Sequence, residues 1–179
     1  MKKILVAGIG SVLLGDDGIG PYVARSLRSN YMFDEGVEIE DLGTPALDLI
    51  DHIAGLDALI VVDAVANGTV PGTVTLYRKP DLTRNVPAMR LDPHSPALSD
   101  ALWAAEFYGG CPQEVLLVGV SGDSFGATCE LSDAVRASVE TAVHEVLREL
   151  DRLDAGFVRR FEEAEPNIWW EEPKLAMAV

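Results

Sequence analysis

The sequence predicts an α/β protein in which helices cover both faces of one doubly wound, mostly parallel sheet. Three observations support this fold class. Strand-like and helix-like segments alternate along the chain, several strands are continuous apolar runs, and a glycine-containing turn follows the first strand. Continuous apolar runs are typical of parallel strands that are buried on both faces. The length of 179 residues fits a single domain.

The first strand is predicted from the apolar, β-branched run that begins at Ile4. Pro21 suits the first turn of a helix, which apolar residues at helical spacing extend to about Tyr31. Apolar and polar residues alternate over 37–43, and this pattern predicts a second strand that is less buried than the first.

Pro45 is expected to open a second helix that Gly55 closes. The run ALIVVDAV at 58–65 is apolar except for one aspartate near its end, and it predicts a fully buried strand. A further strand over 72–78, introduced by a Pro-Gly pair, is expected at an edge of the sheet.

Residues 79–95 contain three prolines and are predicted to form a loop, and Ser95 followed by proline then predicts a helix start. The apolar run at 114–122 predicts another buried strand. Ser132 is expected to cap a long helix that carries one apolar stripe and ends near Leu153.

We therefore expect an α/β domain over residues 1–154 and an acidic, tryptophan-containing tail over residues 155–179. The tail pattern predicts irregular structure. Because each tryptophan can bury about 200 Å² of apolar surface, Trp169 and Trp170 are expected to dock on the domain. The alternative is a contact with a partner protein.

The composition restricts the class of function. The formal net charge of −15 argues against nucleic acid or an anionic membrane as the main partner, since both require basic surface. No stretch of about 18 apolar residues predicts a membrane span. Cys111 and Cys129 lack zinc-like spacing and are expected to be reduced thiols. These features together indicate a cytoplasmic protein.

Acidic residues at two places in the chain are candidates for a functional site. Asp16 and Asp17 are adjacent in the glycine-rich turn after the first strand, and Asp63 ends a buried strand. Because ligands bind at the carboxyl ends of strands in such sheets, Asp17 and Asp63 are expected at a common edge. A charge at the end of a buried strand needs a partner. Asp63 therefore either belongs to a catalytic or ligand-binding site or accepts hydrogen bonds from nearby backbone amides.

His94 lies between Pro93 and Ser95-Pro96, in a loop whose prolines could orient one imidazole. By itself, a loop histidine is more often solvated than functional. His52 and His144 are expected at the surface. One imidazole with two carboxylates would suit nickel, zinc, manganese or iron, with open coordination positions.

A nucleotide-binding module remains open from the residues, whereas a serine hydrolase does not fit them. The pair Gly8 and Gly10 fits a dinucleotide-binding fingerprint in part, but the third glycine position is Leu13 and no phosphate-loop lysine is present. A serine hydrolase is disfavoured because no G-x-S-x-G elbow occurs.

Six short motifs in this order resemble the hydrogenase maturation endopeptidases, which process the large subunits of [NiFe] hydrogenases. They are GIGSVLLGDDGIG at 8–20, DLGT at 41–44, VVDA at 61–64, PGT at 71–73, PH at 93–94 and LLVGV at 116–120. The resemblance covers about residues 3–152. It implies a twisted five-stranded sheet and removal of a C-terminal peptide from the large-subunit precursor after nickel insertion.

The resemblance also implies the site. The family's metal-contacting positions fall on Asp17, Asp63 and His94, which we expect to be catalytic and to contact nickel carried by the substrate. Two positions depart from the family pattern: Ser11 replaces an asparagine, and Asp17 stands where some members carry glutamate. The alternative within this resemblance is an assembly chaperone that binds the precursor without cutting it.

Overall fold

The computed structural model describes residues 2–45, 48–83, 98–161 and 165–171, which build the predicted sheet. The central sheet has five strands in the order β3-β1-β4-β6-β5. All neighbouring pairs are parallel except β5 with β6. Its strands are β1 (Ile4–Ile9), β3 (Val37–Gly43), β4 (Ala58–Val65), β5 (Val74–Arg78) and β6 (Glu114–Ser121). The doubly wound α/β class and the edge position of β5 are therefore confirmed.

Helices cover both faces of the sheet. They are α1 (Ile19–Asn30), α2 (Leu49–Ile53), α3 (Lys79–Thr83), α4 (Leu98–Phe107) and α5 (Asp133–Arg152). Successive side chains of a strand point to opposite faces, so Ile4 and Val6 of β1 pack with α1 and α5. Leu5 and Ala7 pack on the other face with α2, α3 and α4. Because both faces of the sheet are covered, the buried strands are apolar at nearly every position.

One helix was not predicted. Residues 79–83 form α3, where the prolines predicted a loop. Leu82 of this helix is only 2% exposed and packs in the core, and the Asp81 side chain accepts a hydrogen bond from the Arg78 amide at 3.0 Å. Burial of Leu82 stabilises this short helix, although the prolines of the segment favour a loop. Residues 84–97, which include the predicted helix start at Ser95, lie outside the described residues.

The first helix ends at Asn30, close to its predicted end, whereas the expectation of an irregular tail was wrong for one short segment. Tyr31–Phe33 form a short strand, β2, which pairs antiparallel with Phe157–Arg159, β7. The rings of Tyr31 and Phe157 lie 6.1 Å apart, edge to face, and the amide of Gly156 donates to Asp34 at 2.9 Å. Pairing over more than 120 residues has no local sequence pattern, so neither strand could be predicted from its own residues.

Further along the tail, only one of the two tryptophans docks on the domain. Trp170 is 8% exposed and lies edge-on to Tyr22 of α1, with the ring centroids 5.4 Å apart. Trp169 remains 56% exposed. In the described part of the chain, no helix is long and apolar enough to cross a membrane.

Candidate active site

The candidate site lies at the carboxyl edge of the sheet, where β1 ends in the glycine-rich turn. Gly10 has a φ of 126°, which side-chain-bearing residues rarely adopt, and a β-carbon there would overlap the carbonyl oxygen of Asp17. A β-carbon at Gly20 would overlap the carbonyl oxygens of Ile9 and Val62. These close approaches hold the 3-10 turn Gly15–Gly18 against the ends of β1 and β4.

The two adjacent aspartates of this turn have different environments. Asp16 is fully buried, and its carboxylate accepts hydrogen bonds from the amides of Asp123, Ser124 and Ser132 and from the Ser132 hydroxyl, at 2.7–2.9 Å. Burial raises the pKa of Asp16, but these hydrogen bonds outweigh it, so that the pKa is lowered overall. Asp16 therefore ties the turn to the loop before α5 and serves the structure.

Asp17 is half-buried and is held by the same turn. Its Oδ2 accepts a hydrogen bond from the amide of Ser11 at 2.6 Å. The Ser11 hydroxyl in turn accepts from the amide of Leu13 at 3.3 Å. The serine that replaces the family's asparagine thus closes the loop with its side chain, while its backbone orients Asp17.

Asp63 lies on β4, one strand away from β1. Burial raises the pKa of Asp63 well above its ordinary value, and the negative charge of Asp17 raises it further. The structure thus brings Asp17 and Asp63 together at one edge, near enough for their charges to interact. Such a pair concentrates negative potential where a cation or a shared proton would relieve the repulsion.

The three histidines divide between the surface and the part of the chain that is not described. His52 and His144 are exposed, as expected, and Nδ1 of His52 lies 3.6 Å from Glu40. His94 lies outside the described residues. Within the described ranges, no group of three histidine, cysteine, aspartate or glutamate side chains could hold a metal ion. The donor chemistry of Asp17 and Asp63 fits two ligands of a divalent cation, and a third would have to come from elsewhere.

The cysteines take no part in this edge. Cys111 and Cys129 are free thiols that pack against the cores on opposite faces of the sheet. This agrees with the expectation of reduced thiols.

A small pocket of about 210 Å³ adjoins the glycine-rich turn. It is bounded by residues 10–13, by the end of β3 and by Trp169 and Trp170. A larger groove of about 680 Å³ runs along β2 and β3, and neither Asp17 nor Asp63 lines it. The contribution of the tail to a pocket beside the turn was missed by sequence reasoning, and the only available signal was the presence of two tryptophans in an otherwise acidic segment.

Comparisons with known proteins agree with this architecture. The sequence profile of the family described as "Hydrogenase maturation protease" matches residues 21–149. The hydrogenase 2 maturation protease of Escherichia coli is 36% identical over 152 residues, which are 83% of this chain and 90% of that protein. The hydrogenase expression/formation protein HoxM of Azotobacter vinelandii is 37% identical over 148 residues, covering 81% and 70% of the two chains.

Solved structures show the same relationship. The hydrogenase maturating endopeptidase HybD of Escherichia coli superimposes with a TM-score of 0.80 at 34% identity, covering 88% of this chain and 98% of that one. Profile, sequence and fold agree on one identity. The chain belongs to the hydrogenase maturation protease family and is an endopeptidase.

Proposed function

We propose that this enzyme removes a C-terminal peptide from the precursor of a [NiFe] hydrogenase large subunit after nickel has been inserted. Asp17, Asp63 and His94 would contact the nickel that the substrate carries. The observation that carries this proposal is the convergence of the Asp17 and Asp63 carboxylates at the carboxyl edge, with the pKa of Asp63 raised. The family and the names of its members support the substrate class.

The electrostatics explain why a cation would be bound there. A carboxylate whose proton affinity is raised by burial and by a neighbouring charge, as at Asp63, can bind a divalent cation in exchange for its proton. Nickel accepts carboxylate and imidazole ligands, and His94 would add the imidazole. Because the cation arrives with the precursor, the site is completed only when a nickel-loaded precursor binds. Cleavage would then follow nickel insertion and not precede it.

The reaction itself is the hydrolysis of one peptide bond. Water adds to the scissile carbonyl carbon, the carbon–nitrogen bond breaks, and the leaving amine takes up a proton. The carboxylates of Asp17 and Asp63 are the groups at this edge that can accept the proton of the attacking water. The raised pKa of Asp63 makes its carboxylate a stronger base than an ordinary aspartate, which favours this proton transfer.

The test is to incubate nickel-loaded and nickel-free precursor with the enzyme and to follow the mass of the precursor. We expect the wild-type enzyme to cut only the nickel-loaded form. Asp17→Asn, Asp63→Asn and His94→Ala should each abolish cleavage, because each removes a charge or lone pair that the cation requires. Asp123→Asn is the matched control, since Asp123 is an exposed carboxylate in the loop beside the turn.

Two outcomes would contradict the proposal. Efficient cutting of nickel-free precursor would remove nickel recognition from the mechanism. Full activity of folded His94→Ala would remove that residue. Binding of the precursor without any change in mass would support the chaperone alternative.

A further inference from the structure

The segment 165–171 is fixed to the domain by several independent contacts. Trp170 packs edge-on against Tyr22, and the Arg25 guanidinium lies over its ring at 5.3 Å from the centroid. Glu171 pairs with Arg136 of α5, and Arg25 also donates to the carbonyl of Asn167 at 3.5 Å. These contacts place the segment over α1 and α5 and determine where the neighbouring Trp169 lies.

Trp169 is the more exposed of the two tryptophans. Its ring is edge-on to Trp170 with the centroids 5.7 Å apart, and 56% of the residue remains exposed. An exposed tryptophan held beside a buried one, on a segment fixed by aromatic and ionic contacts, is a feature of binding surfaces. Leu13, across the pocket, is also 62% exposed.

The pocket that Trp169 borders adjoins the carboxylate edge through Ser11. Ser11 lines the pocket and its amide donates to Asp17, so one residue belongs to both. The pocket lies off the ends of β1 and β3, whereas Asp63 is on β4. Since neighbouring strands are about 4.8 Å apart, the pocket is one to two strand spacings, roughly 5–10 Å, from Asp63.

Size and chemistry limit what could enter. A volume of about 210 Å³ is below the roughly 300 Å³ at which small-molecule sites begin, and it suits a side chain of a peptide. Val12, Leu13 and the two tryptophans supply apolar walls. The carboxylate of Asp41 at the rim is already paired, since it accepts from the Gly43 amide at 3.2 Å and lies 3.7 Å from Arg25.

We propose that this pocket is a specificity subsite, with Trp169 as its outer wall, for one apolar side chain of the precursor peptide. An extended peptide advances about 3.3 Å per residue, so the side chain would lie about two or three residues from the scissile bond. The inference rests on the proposed function, because it takes the bond to be cut at Asp17 and Asp63. The family profile ends at residue 149, so the wall lies outside the residues that the profile matches.

The test compares cleavage of nickel-loaded precursor by the wild-type enzyme, Trp169→Ala and Trp169→Phe. We expect Trp169→Ala to lower kcat/KM about tenfold or more, mainly by raising KM, because an aromatic contact is lost on binding. Trp169→Phe should recover most of this loss. The melting temperature should change by no more than about 2 °C, since the side chain is mostly exposed. Trp103→Ala is the matched control, because Trp103 is 60% exposed on α4.

A second measurement identifies the occupant. Each apolar precursor residue within three positions of the scissile bond is replaced by alanine, and cleavage by wild-type enzyme and Trp169→Ala is compared. One replacement should reduce cleavage by the wild-type enzyme about tenfold and cause little further loss with Trp169→Ala, because the two changes remove the same contact.

The subsite is contradicted if Trp169→Ala retains the wild-type kcat/KM, if Trp103→Ala loses as much, or if no replacement in the precursor is coupled to Trp169. Failure of the proposed function is a different result, in which the wild-type enzyme leaves the precursor uncut. The affinity of the wild-type enzyme and of Trp169→Ala for the nickel-loaded precursor then decides the subsite. Equal affinities overturn it, and a loss of about tenfold supports it.

Discussion

Asp16 and Asp17 are neighbours in the chain, yet they belong to two regions with opposite electrostatics. The region around Asp16 surrounds a buried carboxylate with four hydrogen-bond donors and lowers its pKa. The edge region brings Asp17 next to Asp63 and raises the pKa of Asp63. The Asp16 region surrounds one carboxylate with donors and stabilises the fold, whereas the edge region places two carboxylates so that the charge of Asp17 raises the pKa of Asp63. A carboxylate whose pKa is raised by burial and by a neighbouring carboxylate is a candidate for binding a cation or transferring a proton.

The largest expected effect concerns activity at the edge region. Asp17→Asn should lower cleavage of nickel-loaded precursor at least 100-fold, because the amide keeps the shape of the side chain but lacks the charge. Single-turnover cleavage followed by mass spectrometry measures this. The melting temperature should stay within a few degrees of the wild-type value. If Asp17→Asn cuts normally, the division between the two regions has no functional meaning.

The next effect concerns stability in the region of Asp16. Asp16→Asn should lower the free energy of unfolding by roughly 3 kcal/mol, because an amide group would face buried N–H donors. For a chain of this size, that loss corresponds to a fall of about 6–12 °C in melting temperature. Thermal unfolding measures it, with Asp123→Asn as the control for loss of a charge in the same loop. An unchanged melting temperature would refute the structural role.

The stability difference between the wild-type protein and Asp16→Asn should depend on pH, and the sign of this dependence follows from the pKa of Asp16. The pKa of Asp16 is lowered in the folded protein, so its ionised form stabilises the fold above the ordinary carboxyl pKa. This contribution is lost as the pH falls through the folded-state pKa. The stability difference between the wild-type protein and Asp16→Asn should therefore shrink as the pH falls below about 4.

A smaller effect of opposite sign is expected at Asp63. Its raised pKa means that ionised Asp63 opposes folding, and this cost develops as the pH rises from about 4 towards the folded-state pKa. Asp63→Asn should therefore raise the melting temperature at pH 7 by roughly 2–4 °C, or about 1 kcal/mol, while abolishing cleavage. The gain should disappear near pH 4. A variant that is destabilised at pH 7 would show that Asp63 is structural, like Asp16.

The smallest effect is expected at Ser11, which holds Asp17 through its backbone amide. Ser11→Ala keeps that amide and removes only the hydroxyl that accepts from Leu13. We expect a loss of about 0.5–1 kcal/mol in stability and less than a tenfold loss in cleavage. Unfolding by urea and the cleavage assay measure the two quantities. A loss of activity as large as that of Asp17→Asn would show that the hydroxyl acts directly in the site.

Much of the fold could be predicted because its causes are local. The apolar runs of β1, β4 and β6 indicate burial on both faces, and such strands are parallel in α/β proteins. The placement of Asp17 and Asp63 at one edge followed from the same reasoning, since the carboxyl ends of parallel strands meet there. The shared edge of Asp17 and Asp63 could therefore be predicted, because apolar runs indicate parallel strands and parallel strands end at the same edge.

The sequence by itself determined the alternating sheet and helices, the glycine-rich turn and the acidic residues that reach the sheet edge. Only the tertiary structure decided which of the adjacent aspartates is buried, because the donors to Asp16 lie 107 to 116 residues further along the chain. The same holds for the pairing of β2 with β7, for the buried Leu82 of α3 and for the position of Trp169 beside the turn. Hydrophobic periodicity reports the face that a residue presents, whereas these features depend on which distant segment meets that face.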